Sequence, residues 1–272
     1  MSSLAQLLST TTMQNLLSKE WKSIEWVLTD VDDTLTWQGK LPTETLVALS
    51  QLQQHGIKVV AVTGACAGWC DHIAQLWPVD AVLGENGAFT IENGCKGVTL
   101  TSSVPIDEMR SLQAKLKHQV EAILTEYPDV NLTLDQAYRL CEVAIDIGQN
   151  REPLASDVVD QIVREIHALG AHATASSIHI NAWYGAHSKR ASTYSFLKSK
   201  GLLEQDILNK CCYVGDSLND QQMFETLPFT VGVDNIRQYW DKLTHKPSKV
   251  MSLPGGFGFA EFTRQLLIQK AT

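Results

Sequence analysis

Apolar residues follow one rhythm at both ends of this chain and another in its middle. Trp26-Val27-Leu28-Thr29 is a short apolar run that stops at Asp30-Val31-Asp32-Asp33-Thr34. Pro42 and Thr43 then open a helix running to about His55. Leu46, Leu49 and Leu52 mark its face, and Gly56 stops it. Ile57–Val62 is a second apolar strand ending at Thr63-Gly64, and a helix from about Gly68 to Leu76 ends at Trp77-Pro78. Ala81-Val82-Leu83 runs into the turn-rich Gly84-Glu85-Asn86-Gly87. Continuous apolar strands alternating with helices predict a parallel sheet covered by helices.

The rhythm changes after residue 102. Met109, Leu112, Leu116, Val120 and Ile123 define a helix over 105–126. Leu132-Thr133-Leu134 and Glu142–Ile147 read as strands, and Val158–Leu169 is a helix ending at Gly170. Ser177–Trp183 alternates polar and apolar residues, as a half-exposed strand of an antiparallel sheet does. From Ser188 the first rhythm returns. A helix runs to Ser199, and the strand Cys211–Val214 ends at Gly215-Asp216-Ser217-Leu218-Asn219-Asp220. A strand at Phe229–Val233, a Gly-rich turn at 255–258 and a C-terminal helix follow. The expected organisation is an α/β core from residues 21–102 and 184–272, with an inserted α+β unit at 103–183. Leu4, Leu7, Leu8, Leu16 and Leu17 suggest a helical extension over residues 1–20.

Composition narrows the function classes. With 272 residues, 44% hydrophobic and 19% charged, the chain reads as globular. A net charge of -8 argues against general nucleic-acid binding, but not against a small anion held by local cations or a metal. The six cysteines lack a staple-like pattern and read as reduced thiols of a cytoplasmic protein. Cys66 and Cys70 have no second pair at zinc-like spacing, so packing is their expected role; Cys211 and Cys212 are expected on opposite faces of a strand. Residues 1–18 contain no Lys or Arg and do not read as a signal peptide, and no run is apolar enough to span a bilayer.

Three strands end in polar residues of one kind: Asp30 with Asp32, then Thr63, then Asp216 with Asn219 and Asp220. Ligands bind beyond the carboxyl ends of strands in open parallel sheets, so these groups are expected to converge. Clustered carboxylates need a cation, and hard oxygen ligands suit magnesium, Mg2+. Magnesium commonly shares its shell with a phosphate, so a phosphate site is expected beside it. A carboxylate can attack phosphorus itself. Asp30 and Asp32, two apart at a strand end, suit a division between nucleophile and proton carrier. Thr63 offers a hydroxyl and an N–H to a phosphate oxygen, and Lys189 is placed to supply the missing cation.

Asp30-Val31-Asp32-Asp33-Thr34-Leu35, Thr63-Gly64, Lys189 and Gly215–Asp220 together resemble the four motifs of the haloacid dehalogenase (HAD) superfamily, in order and spacing. The mixed insert between the second and third motifs, and Glu85-Asn86-Gly87-Ala88 before it, resemble the sugar-phosphatase branch with an α/β cap, subfamily IIB. The resemblance implies a Rossmann-like parallel-sheet core with an inserted α+β cap domain. It also implies a magnesium-dependent phosphatase working through an aspartyl-phosphate. Asp30 would be nucleophile and metal ligand, and Asp32 general acid and base, with its backbone carbonyl on the metal. Thr63, Gly64 and Lys189 would hold the phosphoryl group, Asp216 would bind Mg2+, and Asn219 and Asp220 would support that shell. Two departures stand out. Asp33 occupies a position where many relatives carry Gly or Asn, and is expected to face solvent or cap the next turn. Ala65 replaces an Arg common in cap-bearing sugar phosphatases, which puts the substrate in doubt more than the chemistry.

The remaining candidates divide between site and scaffold. Trp183, Tyr184 and His187, where the insert returns, suit either sugar contact or hinge packing. Glu85 and Asn86 suit either a pocket wall or turn chemistry. Arg139 and His179 suit either substrate contact or a solvated sheet face, and the solvated face is the expectation. The expected partner is a small phosphorylated metabolite, with a phosphomutase or a non-catalytic metabolite binder as alternatives.

Overall fold

Short apolar segments make the central strands, and a computed structural model describes the chain over residues 17–94 and 97–271. In chain order they are β1 (Trp26–Thr29), β2 (Lys58–Val62), β3 (Ala81–Gly84), β4 (Phe89–Gly94) and β5 (Gly97–Ser102). Then follow β6 (Val143–Asp146), β7 (His172–Ala175), β8 (His179–Trp183), β9 (Cys211–Gly215), β10 (Phe229–Gly232) and β11 (Lys249–Val250). The larger sheet has the order β11-β10-β9-β1-β2-β3-β4-β5. It is parallel from β11 to β3, and β4 and β5 add an antiparallel edge. The smaller sheet, β6-β8-β7, is antiparallel.

Both faces of the larger sheet are covered. Val27, Val59, Cys212 and Val231 pack beneath the helices Thr43–Gln54, Ala67–Leu76 and Gly255–Ala271. Leu28, Val60, Cys211 and Tyr213 face the helices Lys189–Ser199, Glu204–Lys210 and Gln221–Thr226. Cys211 and Cys212 thus lie on opposite faces, as their adjacency in a strand requires. The smaller sheet has its own core, where Ile145 and Ile180 meet Leu116 and Val120 of helix Ile106–Leu124 and Ile162 and Ile166 of helix Ser156–Ala168.

Strand order positions the site. From β1 the chain moves to β2 and β3 on one side, and after the smaller sheet it returns to β9 and β10 on the other. β1 is therefore the reversal point, where an open parallel sheet leaves a crevice beyond its carboxyl ends. Thr29 pairs with Val214, so Asp30 and Asp216 emerge side by side.

Three expectations are corrected. Leu132–Leu134 is not a strand: Leu132 makes one bridge to Ile145, and Leu134–Tyr138 is a 3-10 turn in which the Thr133 hydroxyl donates to Asp135 at 2.5 Å. Gly255–Gly258 is not a loop but the first turn of the last helix. A Cβ on Gly256 would lie 2.0 Å from Thr45 Oγ1, so glycine there permits close docking on the first helix. β8 has no wet face: all five of its residues are buried. The expected extension over residues 1–20 lies mostly outside the described residues; of it, Leu17 is buried in the core.

Candidate active site

The β1 turn is built to present two carboxylates. Asp30 N–H continues the ladder to the Val214 carbonyl at 2.9 Å, and the N–H groups of Thr34, Leu35 and Thr36 all converge on the Val31 carbonyl. Asp33 sits at φ 53, a left-handed position that suits Gly, Asn or Asp. Its side chain accepts from Gln38 N–H at 3.2 Å, so it caps the turn.

Lys189 begins the helix that follows the smaller sheet, fixed by Ser188, whose hydroxyl accepts from Ala191 N–H at 3.1 Å. Its ammonium is 4% exposed and reaches Asp30 Oδ1 at 2.7 Å and Asp220 Oδ1 at 2.9 Å. Burial opposes that charge, but Asp220 and Asp30 outweigh it and hold Lys189 protonated well above its usual range. Asp220 is saturated with donors: Lys189, the Tyr213 hydroxyl at 2.6 Å, and the N–H groups of Asp216 and Ser217. Gly215 lets it approach, since a Cβ there would lie 2.4 Å from Asp220 Oδ2. Asp216 accepts from the Thr34 hydroxyl at 3.3 Å and from the Asn235 amide at 2.9 Å. Asn219 accepts from the Ser217 hydroxyl at 2.8 Å.

These acids are crowded and dry. Carboxylate oxygens of Asp30, Asp216 and Asp220 lie within 4.8 Å of one another, all buried, in the one such cluster found among the described residues. Burial, then Asp220 and Asp30, push Asp216 far up. Burial likewise raises Asp30, against the pull of Lys189. Burial and then Asp33 push Asp32 up to about 6. One lysine among four acids leaves surplus negative charge, which a hard divalent cation fits. Asp220 has spent its oxygens on other donors. Asp30 Oδ2, which carries no hydrogen bond among the described residues, and Asp216 are the carboxylates left to face a metal.

Thr63 and Gly64 end β2 beside this cluster. Thr63 is fully buried, and its hydroxyl accepts from Ala65 N–H at 3.0 Å. Gly64, Asp30, Asp32 and Asn219 line a cavity of about 10 Å³, closed from the smaller sheet by Thr174, Ser176, His179 and Asn181. That is room for about one water molecule. A much larger cavity, about 1000 Å³, is centred elsewhere, between the β1 turn and the smaller sheet. The two cavities share Asp32 and Ser176.

The other candidates separate. Asn86 lines the small cavity and donates to Glu142 at 2.7 Å. Glu85 is a staple: its carboxylate accepts from the N–H groups of Leu140, Cys141 and Glu142 at 2.8, 2.7 and 2.8 Å. Trp183 stacks between His172 and His187, at centroid distances of 5.7 and 5.3 Å, and its indole N–H donates to the His187 carbonyl. Neither Trp183 nor His187 lines the cavities that hold Asp32; both lie where the chain leaves the smaller sheet, with Trp183 packed between the two histidines. Arg139 and His179 correct the expectation of a solvated face. Both are buried, and Arg139 donates to the Gly64 carbonyl at 2.8 Å while His179 lines the small cavity. Asn181, Glu142 and Ser176 were not anticipated. The alternation His179-x-Asn181-x-Trp183 did reveal a polar face, but not that a second layer covers it.

Residues 27–138 match the family of haloacid dehalogenase-like hydrolases. No curated protein sequence matches the chain. Among solved structures, one from Thermoplasma acidophilum superposes with a TM-score of 0.69 at 16% identity, covering 90% of this chain and 99% of that one. A haloacid dehalogenase-like hydrolase from Bacteroides thetaiotaomicron gives 0.61 at 16% identity, over 89% and 99%. The sucrose-phosphatase of Synechocystis, solved with sucrose and phosphate, gives 0.63 at 14% identity, over 90% and 98%.

Proposed function

We propose that this chain, whose residues 27–138 match the haloacid dehalogenase-like hydrolases, is a magnesium-dependent phosphomonoesterase that works through an aspartyl-phosphate on Asp30. One observation carries this reading: Lys189 and Asp30 are buried and paired at 2.7 Å beside Asp32, Asp216 and the Thr63-Gly64 turn. Asp30, Asp216 and the Asp32 carbonyl would hold Mg2+, which when bound offsets the charge of the acids and of a phosphoryl group.

The chain's own groups perform the transfer. An Asp30 oxygen attacks phosphorus as the bond to the leaving oxygen breaks. Asp32 gives that oxygen its proton; its raised affinity for protons, at about 6, suits the exchange. Asp32 then takes a proton from water, the water oxygen attacks phosphorus, and the Asp30 carboxylate leaves with phosphate free. Lys189, the Thr63 hydroxyl and Gly64 N–H hold phosphoryl oxygens, while Asn219 and Asp220 support the metal side.

The leaving group occupies the large cavity, because Asp32 stands on the wall between the two spaces and must reach the departing oxygen. About 1000 Å³ lined by Trp37, Gln149, Ser176, Tyr239 and Lys242 suits a small polyhydroxylated metabolite. A sugar phosphate is the favoured class, and the Synechocystis sucrose-phosphatase supports it as a structural neighbour. Residues 103–183 act as the cap that selects this group and excludes water. No helix of the described residues is long and apolar enough to cross a membrane, and a cytoplasmic role on a free metabolite agrees with the chain's thiols and acidic charge.

Phosphate release from a panel of sugar and other metabolite phosphates, with and without Mg2+, tests the reading. The native chain releases phosphate only with metal, and Asp30→Asn releases none. Metal-independent release, or release by Asp30→Asn, refutes it; an isomerised sugar phosphate without free phosphate reassigns the chain as a phosphomutase.

A further inference from the structure

The turn after β2 has a partner for almost every backbone group. Thr63 N–H donates to the Leu83 carbonyl, and the Thr63 carbonyl accepts from Asn86 N–H, both at 2.9 Å. Ala65 N–H donates to Thr63 Oγ1 at 3.0 Å, and the Ala65 carbonyl accepts from Glu85 N–H at 3.2 Å. Gly64 differs. Its carbonyl accepts two side-chain donors from the inserted segment, Arg139 Nη1 at 2.8 Å and Asn181 Nδ2 at 2.9 Å. Its N–H donates to nothing among the described residues, although Gly64 lines the small cavity beside Asp30 and Asp32.

The two donors are themselves held. Glu142, fully buried, accepts from Asn181 at 2.5 Å and from Arg139 at 3.4 Å through Oε2, and from Asn86 at 2.7 Å through Oε1. Glu85 anchors the backbone of residues 140–142 to the core, so this triad is fixed from both sides. Glycine at 64 is what admits it, because a Cβ there would lie 3.0 Å from the Asn181 amide and 3.2 Å from that of Asn86. An N–H left without an acceptor in an otherwise fully paired turn stands out, and here, among the described residues, it belongs to the one whose carbonyl the inserted segment grips.

We propose that Arg139 and Asn181, held by Glu142, are positioning residues for the phosphoryl site: by fixing the Gly64 peptide they aim its N–H at a phosphoryl oxygen, so the turn is competent only with the inserted segment docked. This rests on the phosphomonoesterase reading and extends it, since the segment then governs phosphoryl binding as well as the choice of leaving group. The dependence holds for any ester, including one whose leaving group is no sugar.

Two readouts test it with magnesium-loaded full-length protein: binding of inorganic phosphate by calorimetry, and kcat and KM for p-nitrophenyl phosphate. Asn181→Ala weakens phosphate binding and lowers kcat by about tenfold each, with the thermal midpoint held within a few degrees. Arg139→Lys, which keeps one donor and the charge, retains most of both, whereas Arg139→Ala does not. If Asn181→Ala does not fold, Gly64→Ala reads the same relationship with every side chain kept. Unchanged phosphate binding and unchanged kcat for the aryl ester, with KM altered only for sugar phosphates, overturns the proposal. A native chain that binds phosphate but hydrolyses no ester removes the hydrolase reading, and the effect of Asn181→Ala on phosphate binding still decides this one.

Discussion

Lys189 and Asp30, 159 residues apart in sequence, meet at 2.7 Å in a site where neither side chain is more than 6% exposed. Neither charge is stable there alone, because a buried ion without its partner costs far more than an exposed one. Lys189→Met would leave Asp30 and Asp220 buried without their cation. The variant loses turnover and about 3 kcal/mol of stability. The stability loss is larger at pH 8 than at pH 5, where protonation neutralises the orphaned Asp30. Urea unfolding at the two pH values measures it.

The surroundings of Asp216 oppose its negative charge. Burial and the neighbouring Asp220 and Asp30 all disfavour its charge. Asp216→Asn therefore stabilises the metal-free protein by about 1 kcal/mol, since an amide can still serve the Thr34 and Asn235 contacts. The same change removes the stabilisation that Mg2+ confers on the native chain. Thermal midpoints with and without Mg2+ show both effects; an Asp216→Asn protein still stabilised by the metal contradicts the assignment of this carboxylate as a ligand.

Glu85 carries three consecutive backbone N–H groups of residues 140–142 on one carboxylate. Glu85→Ala strips all three of their acceptor in a dry interior. Each orphaned donor costs about 1 kcal/mol or more, so a loss of about 3 kcal/mol is expected. Glu85→Gln keeps one acceptor oxygen and loses less. Denaturant midpoints rank the three proteins. Equal stability of Glu85→Ala and the native chain contradicts this role.

His179 is buried against Arg139, and burial first, then that guanidinium, lower its affinity for protons to about 4 from the ordinary 6.5. The unfolded chain thus binds this proton more readily between those values. Stability is full above pH 6.5 and falls as pH drops towards 4, by up to about 3 kcal/mol from this group. His179→Gln flattens that part of the stability profile, which unfolding between pH 4 and 7.5 reads directly.

The reach of sequence reasoning follows physical lines. Asp30, Thr63 and Asp216 were legible because each ends a buried apolar strand, and strand ends converge whatever the loops do. Lys189 was legible as the first residue of a helix entering the core, and the family resemblance implied that Asp220 acts through it or through water; here the two pair directly at 2.9 Å. The polar seam was not legible. Arg139 follows a 3-10 turn with no periodicity of its own, and His179 and Asn181 alternate with apolar neighbours just as a solvated strand would. Period-two patterning separates two faces but does not say whether water or another layer lies over the polar one. The β4–β5 hairpin was missed for a related reason. Residues 97–102 are exposed or half-exposed throughout, so no buried face announces a strand.

Strand order also constrains how the molecule is made. β1 leaves the ribosome with β2 and β3 close behind, but its other neighbour, β9, begins only at Cys211. Until then one edge of β1 is unpaired, and a bare strand edge invites association with other chains. Asp30 meanwhile stands at the end of that strand without Asp216 or Asp220. A nascent chain halted before residue 211 would thus be aggregation-prone and incapable of phosphoryl chemistry, and catalytic competence would arrive late, together with closure of the sheet.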